Sequence, residues 1–335
     1  MAEKIDFVVL WVDGADPQWQ RQQAQYAPEA EYNGSDINRF RDWELMRYWF
    51  RCTERFAPWV NRVYFVTNGQ VPSWLNPEHP KLKLVKHSDY IPAEFLPTFN
   101  SNVIELWLHK LPGLSEHFVL FNDDMFLTAP VEPSDFFVNG LPRESALLDI
   151  ATAASSDDCL PHMLINNGAI LNKHFCKKDV LKRHAGMFFN LQYGKDLIRN
   201  VLLAPFQYFS TFRDPHLPSS HRKSTFRQVW TAERELLMAC SQNRFRSKGD
   251  LTHWLMKCWQ ICEGNFVVRP TSWGCHYELW EDSIDGICAD LAVGKYKAVC
   301  LNDSKTDIDF DALKSRLTQA FDALVSQPSG FERDI

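Results

Sequence analysis

Two acidic loops close hydrophobic runs in this sequence. Asn122-Asp123-Asp124 follows the apolar stretch that ends at Phe121, and Asp13 and Asp16 follow the stretch Ile5 to Val12. Adjacent carboxylates at the rigid end of a strand suit a hard divalent cation, Mg²⁺ or Mn²⁺, and such an ion would hold a diphosphate. Two acids alone fit a polar turn with an Asp helix cap equally well; the second acidic loop tips the reading toward Asp123 and Asp124 as metal ligands. Opposite charge gathers later in the chain. His216, His221, Arg222, Lys223 and Arg227 fall within twelve positions, and Arg244, Arg246 and Lys248 follow. Guanidinium groups grip phosphate oxygens bidentately, and a histidine beside them can take the proton of an attacking hydroxyl. Either basic cluster taken alone is more often a solvated helix start.

The elements that must position these groups follow from periodicity. Ile5 to Val12, Arg62 to Thr67, Leu82 to Lys86 and His117 to Phe121 have the composition of buried strands. Trp43, Met46, Phe50 and Phe56 recur at helical spacing, with Asp42 and Glu44 suited to the start and Ala57-Pro58 to the stop. Ser101 or Asn102 is expected to cap a helix running to about His109, with Glu105 placed for a capping box. Alternating strand and helix, with polar residues at strand ends, predicts an α/β fold: a Rossmann-like, mostly parallel sheet whose ligand crevice lies outside the carboxyl ends of its strands. From 173 to 263 the pattern turns helical, including one run from Phe226 to Met238, and predicts a helical cap or insertion. Tyr296 to Leu301 reads as a strand returning to the first sheet, ahead of a terminal helix through Phe310, Leu313, Leu317, Phe321 and Leu324. The expected organisation is an α/β half over 1–150, a helical insertion carrying the basic residues over 151–295, and a return strand and helix over 296–335, packed as one unit.

Composition narrows the function classes. The 335 residues are 45% hydrophobic and 23% charged, as in an ordinary globular protein. Lys and Arg number 36 against 42 Asp and Glu, so the net charge of −6 disfavours nucleic acid as a partner. No apolar stretch reaches the roughly 18 residues a bilayer span needs, and Met1 to Asp6 leads into a strand rather than a signal sequence. Nine cysteines, mostly in apolar runs, suggest a reducing cytoplasm. Cys258, Cys262, Cys275 and His276 invite a zinc reading, but Cys258 and Cys262 are spaced as core-facing helix neighbours and the second pair lacks a CxxC knuckle. Twelve Trp and 24 Phe leave no single aromatic assignable to ligand stacking, since most fill a core. The absence of P-loop, GxGxxG, GxSxG and HExxH motifs removes the main support for nucleoside triphosphatases, classical dehydrogenases, serine hydrolases and zincins. Metal-assisted transfer from an activated phosphate donor remains.

Longer stretches match a known pattern. Ile5-Asp6-Phe7-Val8-Val9-Leu10-Trp11-Val12-Asp13-Gly14-Ala15-Asp16-Pro17 forms a first block. A second runs through Arg39-Phe40-Arg41-Asp42, Ala57-Pro58-Trp59-Val60, Val66-Thr67-Asn68-Gly69-Gln70-Val71-Pro72-Ser73-Trp74-Leu75-Asn76, Leu96-Pro97-Thr98-Phe99-Asn100-Ser101 and Phe121-Asn122-Asp123-Asp124. A third holds His216-Leu217-Pro218, Lys223-Ser224, Arg244-Phe245-Arg246 and Asp250; a fourth holds Cys300-Leu301-Asn302-Asp303 and Pro328-Ser329-Gly330-Phe331-Glu332. These four ordered blocks resemble the Stealth family of hexose-1-phosphate transferases, which includes bacterial capsule polymerases and the catalytic subunit of the lysosomal-enzyme GlcNAc-1-phosphotransferase. Leu10 stands where Thr is common, and Tyr48-Trp49-Phe50 replaces Tyr-Ser-Leu; both read as packing changes.

The resemblance implies a glycosyltransferase-A-like sheet and a UDP-sugar donor. It implies transfer of hexose-1-phosphate to a glycan hydroxyl, giving a phosphodiester and UMP in capsule or cell-surface polysaccharide synthesis. On that pattern Asp123 and Asp124 take the metal, His216 or Asp13 is the base, Arg246 and Arg244 clamp phosphate oxygens, and Asp250 joins the catalytic set. Asn68, Gly69 and Gln70 contact donor phosphate or base; Asn302 and Asp303 close the crevice; Asp16, Arg41, Asn100, Ser101 and Lys223 complete the substrate-binding set. The alternative is a metal-dependent glycosyltransferase that releases UDP. A cytoplasmic location leaves room for peripheral association with membrane-bound assembly enzymes at the inner face of the membrane.

Overall fold

The computed structural model describes residues 3–27, 41–303 and 307–333, so Arg39 and Phe40 of the second block lie outside it. Strands β1 (Ile5–Leu10), β2 (Val63–Thr67), β3 (Leu82–Lys86) and β4 (His117–Phe121) are parallel, with Val8 opposite both Tyr64 and Leu120. The near-continuous apolar runs of β1, β2 and β4 are those of strands covered on both faces, whereas β3, at the edge, keeps Lys83, Leu84 and Lys86 exposed. Because side chains alternate across a strand, Phe7, Val9, Phe65 and Phe121 join one core with helix α2 (Met46–Phe56), while Val8, Tyr64, Phe118 and Leu120 join a second core with the helical region that follows. Trp49 and Phe50 are buried in the first of these cores, where the departures from the family pattern fill space.

Elements between the parallel strands leave from the sheet's carboxyl edge and carry the chain back to its amino edge. Helix α1 (Pro17–Tyr26) starts where Asp16 accepts from the Gln18 amide at 2.8 Å. Helix α3 (Ser101–Leu106) is capped one residue earlier than expected: Asn100 accepts from the Asn102 amide, and Glu105 meets His253 Nδ1 at 2.7 Å instead of closing a capping box. The run from Phe226 to Met238 is two helices, Lys223–Ala232 and Arg234–Ser241, broken at Glu233, whose backbone (φ −129°, ψ 36°) leaves helical space.

The returning strand corrects one expectation. Strand β6 (Ser219–Arg222) runs antiparallel along β4 and takes its edge, giving the order β6-β4-β1-β2-β3. The Asp123-Asp124 turn sends the chain back as β5 (Met125–Leu127). With the first sheet's edge filled, β8 (Ala298–Asn302) pairs with β5 and with β7 (Gly274–Glu278) in a separate three-stranded sheet. The terminal helix α4 (Phe310–Leu324) packs through Leu313, Leu317 and Phe321 on the first core. The cysteines are free, and Cys258 and Cys262 are buried on the helix Trp254–Glu263, as core residues should be.

Candidate active site

The crevice at the carboxyl ends of β1 and β4 holds a nest of carboxylates around one histidine. His216 Nε2 lies 3.6 Å from Asp124 Oδ2, and its Nδ1 lies 3.7 Å from Asp214 Oδ2. Asp214 is in turn gripped by the buried ammonium of Lys257. Burial alone would strip the proton from His216, but the flanking Asp124 and Asp214 carboxylates outweigh it and raise the imidazole to about 10. The ring keeps 30% of its surface open, so a substrate hydroxyl can reach it. Its backbone is left-handed (φ 48°), an uncommon conformation for a side chain of this size and one that clusters at functional sites. Burial would raise Asp214, but the Lys257 ammonium and His216 hold its carboxyl well below the ordinary range.

Asp123 opens onto the same crevice but is crowded by its floor. That desolvation, with the Asp124 charge second and Asp42 adding to it, raises its carboxyl to about 7. Asp42 is itself raised by burial and by the nearby Glu44 and Asp13 charges. Five acids from three loops thus repel one another here, and a bound cation would relieve that repulsion.

Asp124, His216 and Cys300 each offer one donor atom, all within 4.8 Å of one another. Asp124 Oδ1 is buried without a hydrogen-bond partner, the kind of orphan a cation satisfies. Cys300 donates its thiol to Asp124 Oδ2 at 3.3 Å, and burial with the Asp124 charge pushes that thiol far up. An imidazolium has no lone pair to give and a protonated thiol is a weak, soft ligand, so the carboxylate oxygens of Asp123 and Asp124 are the better donors for a hard divalent cation.

Most other sequence-assigned residues build the walls. Gln70 accepts from the Asp13 amide at 2.9 Å and donates to the Asp13 carbonyl and to Asp16 Oδ2, fastening the first acidic loop to the turn after β2. Asn68 Oδ1 accepts from the Gln70 amide, and Gly69 takes the positive φ (118°) that this turn requires. Arg41 forms a two-pronged pair with Asp303 (2.8 and 2.5 Å), joined by Trp43 Nε1. Asn302 donates to both oxygens of Glu278.

A second cluster gathers around the loop before α3. Asp250, almost fully buried, accepts from Asn100, Asn102, Asn243 and the Ser247 amide. It ties the Arg244–Arg246 segment to Asn100 and positions the loop from inside it. Arg244 donates to the Pro97 carbonyl and lies over the Tyr26 ring, and Arg246 donates to Ser101 Oγ at 2.8 Å. Phe99 of this loop meets Trp19 of α1, which places the cluster on the carboxyl side of the sheet.

Lys223 belongs to neither group. The antiparallel register sets Arg222 opposite His117, at the amino end of β4, where Lys223 donates to the Leu114 carbonyl. At about 3.3 Å per residue, the length of β4 separates it from Asp124. The basic run that looked like one cluster is split by a strand, with His216 at one end and Lys223 at the other. The sequence reading missed Asp42, Asp214, Lys257 and Cys300 as members of the nest. Asp214 stands two residues before His216, and an acid so placed was the one available signal.

A mostly parallel α/β sheet whose carboxyl ends present paired acids and a carboxylate-held histidine defines a Rossmann-like fold with an acidic site at its edge. Residues 3–29 match Stealth protein CR1, conserved region 1, and residues 39–144 match Stealth protein CR2, conserved region 2. The chain is 42% identical over 335 residues to a capsular polysaccharide phosphotransferase WcwK of Streptococcus pneumoniae, covering 99% of this chain and 98% of the relative. It is 41% identical to the exopolysaccharide phosphotransferase cps2G of Lactiplantibacillus plantarum (98% and 96% covered) and 41% identical to the receptor polysaccharide phosphotransferase WefC of Streptococcus gordonii (99% and 100% covered). The chain belongs to the Stealth family and is a transferase.

Proposed function

We propose that this protein transfers hexose-1-phosphate, GlcNAc-1-phosphate or a similar unit, from a UDP-sugar to a hydroxyl of a glycan acceptor in capsule or cell-surface polysaccharide synthesis, releasing UMP. The observation that carries the reading is His216 held between Asp124 and Asp214 beside Asp123, at the sheet edge where a diphosphate would lie. The acceptor oxygen attacks the phosphorus next to the hexose, the bond from that phosphorus to the oxygen bridging to UMP breaks, and the hydroxyl proton passes to Nε2 of His216. Asp214, fixed by Lys257, orients the ring so that Nε2 faces the crevice. Mg²⁺ or Mn²⁺ on Asp123 and Asp124 would neutralise diphosphate charge and offset the field that holds a proton on His216, returning Nε2 as an acceptor. Arg246 clamps a phosphoryl oxygen, positioned by Ser101 and the Asp250-centred loop. Asp13 lines the opposite wall, and the Arg41–Asp303 pair closes the crevice.

Phosphoryl transfer needs positioning and charge neutralisation more than covalent chemistry, which fits a site of fixed charges without an activated nucleophile. The test is phosphorus NMR of the glycan product formed from UDP-N-acetylglucosamine with Mg²⁺ or Mn²⁺. A phosphodiester resonance on the acceptor is expected, and its loss in excess chelator; a product free of phosphorus, or full activity in chelator, contradicts the reading.

A further inference from the structure

The helical region carries a surface built inside out. The short helix Leu197–Leu203 buries Asn200, which donates to the Ala146 and Phe188 carbonyls and accepts from the Leu148 amide. Its apolar residues face outward: Ile198, Val201 and Leu202 are 56%, 52% and 63% exposed, at the i, i+3, i+4 spacing of one helix face. Leu191 before it is 86% exposed, and Phe206 after it 63%. Isolated exposed apolar residues need no explanation, but a contiguous set on one excursion marks an interaction surface.

Charge identifies the occupant. From 173 to 199 the sequence holds seven Lys and Arg against two Asp, in a chain of net charge −6. Lys178, Lys182, Arg183 and Lys195 are exposed. The neighbouring helix Lys177–Arg183 is tied to the patch by Lys177, which donates to the Leu203 carbonyl at 2.7 Å. A protruding apolar face with a basic rim is the pattern of a segment that lies in the interfacial layer of an anionic bilayer. No helix among the described residues is long and apolar enough to cross a membrane.

We propose that residues 189–208, with the basic helix beside them, dock this protein on the surface of a membrane containing anionic lipid. From the patch the chain runs through the strand Thr211–Phe212 to Asp214 and His216, so a docked enzyme would hold its crevice close to an acceptor carried on that membrane. The inference stands on the surface alone and does not require the proposed donor or product.

The test is flotation of the purified full chain with vesicles of phosphatidylcholine alone or with 30% phosphatidylglycerol, at 0.1 and 0.5 M salt. Binding to the anionic vesicles, weakened at high salt, is expected. The doubly substituted Ile198→Ser, Leu202→Ser protein should lose at least about tenfold in partitioning with its melting temperature unchanged. Leu191→Trp should show a blue-shifted emission on adding anionic vesicles. The proposal is overturned if the unaltered protein stays in the aqueous fraction with anionic vesicles, or if Ser substitution leaves partitioning unchanged. A dimer that the same substitutions dissolve, with no vesicle binding, would assign the face to a second copy of the chain instead.

Discussion

Charges in the nest separate residues that act on substrate from residues that hold the site. Asp124→Asn removes the charge that flanks His216 and that, in the proposed reaction, would hold the cation. We expect turnover to fall on the order of 10²-fold or more with the fold intact, since electrostatic groups at a transition state are worth several kcal/mol. Lys223→Ala should stay within about twofold of the parent, because Lys223 sits at the far end of β4. Steady-state kinetics on the two variants checks both, and equal losses would refute the placement. Asp250 was read from sequence as catalytic. Its four hydrogen-bond donors make it a positioning residue, so Asp250→Ala should lower the melting temperature by roughly 5–10 °C, because the Asn243 amide and the Ser247 N–H lose this acceptor and Asn100 and Asn102 each lose one of theirs. An unchanged melting temperature would return it to the reacting groups.

Among the elements, the strands of both sheets carry the site, and how they pack decides what was legible. Strands β1, β2 and β4 were readable because each is a buried apolar run with polar residues at its end, and β3 because its leucines and valine stand in a short run between turns. The destination of β8 was not, because which edge a strand joins depends on which edges earlier strands have taken, and β6, a short polar strand (Ser-Ser-His-Arg), leaves no periodic trace. The nest was half legible for a related reason. Asp13, Asp123, Asp124 and His216 stand in recognisable motifs, whereas Lys257 reaches Asp214 from the interior of an apolar helix, where a lysine reads as an anomaly rather than a partner.

Gly274 shows how tight this packing is. A Cβ there would lie 2.6 Å from Leu217 Cδ1 and 2.8 Å from the Ala298 carbonyl oxygen, so β7, β8 and the residue after His216 meet with no spare volume. Gly274→Ala should cost about 1–3 kcal/mol in denaturant unfolding and lower turnover by displacing His216 and Cys300. Unaltered stability and turnover would mean that the close approach does not position the site.

For the whole molecule, burial makes stability depend on pH. Burial holds His109, and likewise His87, down to about 4. A folded value below the unfolded 6.5 means that the unfolded chain binds protons the folded one refuses between those limits. Their contribution is complete above pH 6.5 and is lost as pH falls toward 4. The raised carboxyls of Asp42 and Asp123 act in the opposite sense, so the informative comparison is with His109→Gln. Between pH 7 and 5 that variant should lose less of its urea midpoint than the parent; parallel losses would show that His109 is not the proton-linked group.

The measurement that tests the central claim most directly is the identity of the released nucleotide. Attack at the hexose-linked phosphorus moves sugar and phosphate together and leaves UMP, whereas attack at the anomeric carbon leaves both phosphates on uridine. The purified protein is incubated with UDP-N-acetylglucosamine or another UDP-hexose, an acceptor glycan and Mg²⁺ or Mn²⁺, and the nucleotides are resolved by anion exchange. The account predicts acceptor-dependent UMP that disappears with Asp124→Asn; UDP as the sole acceptor-dependent product would contradict it and place the enzyme among the glycosyltransferases.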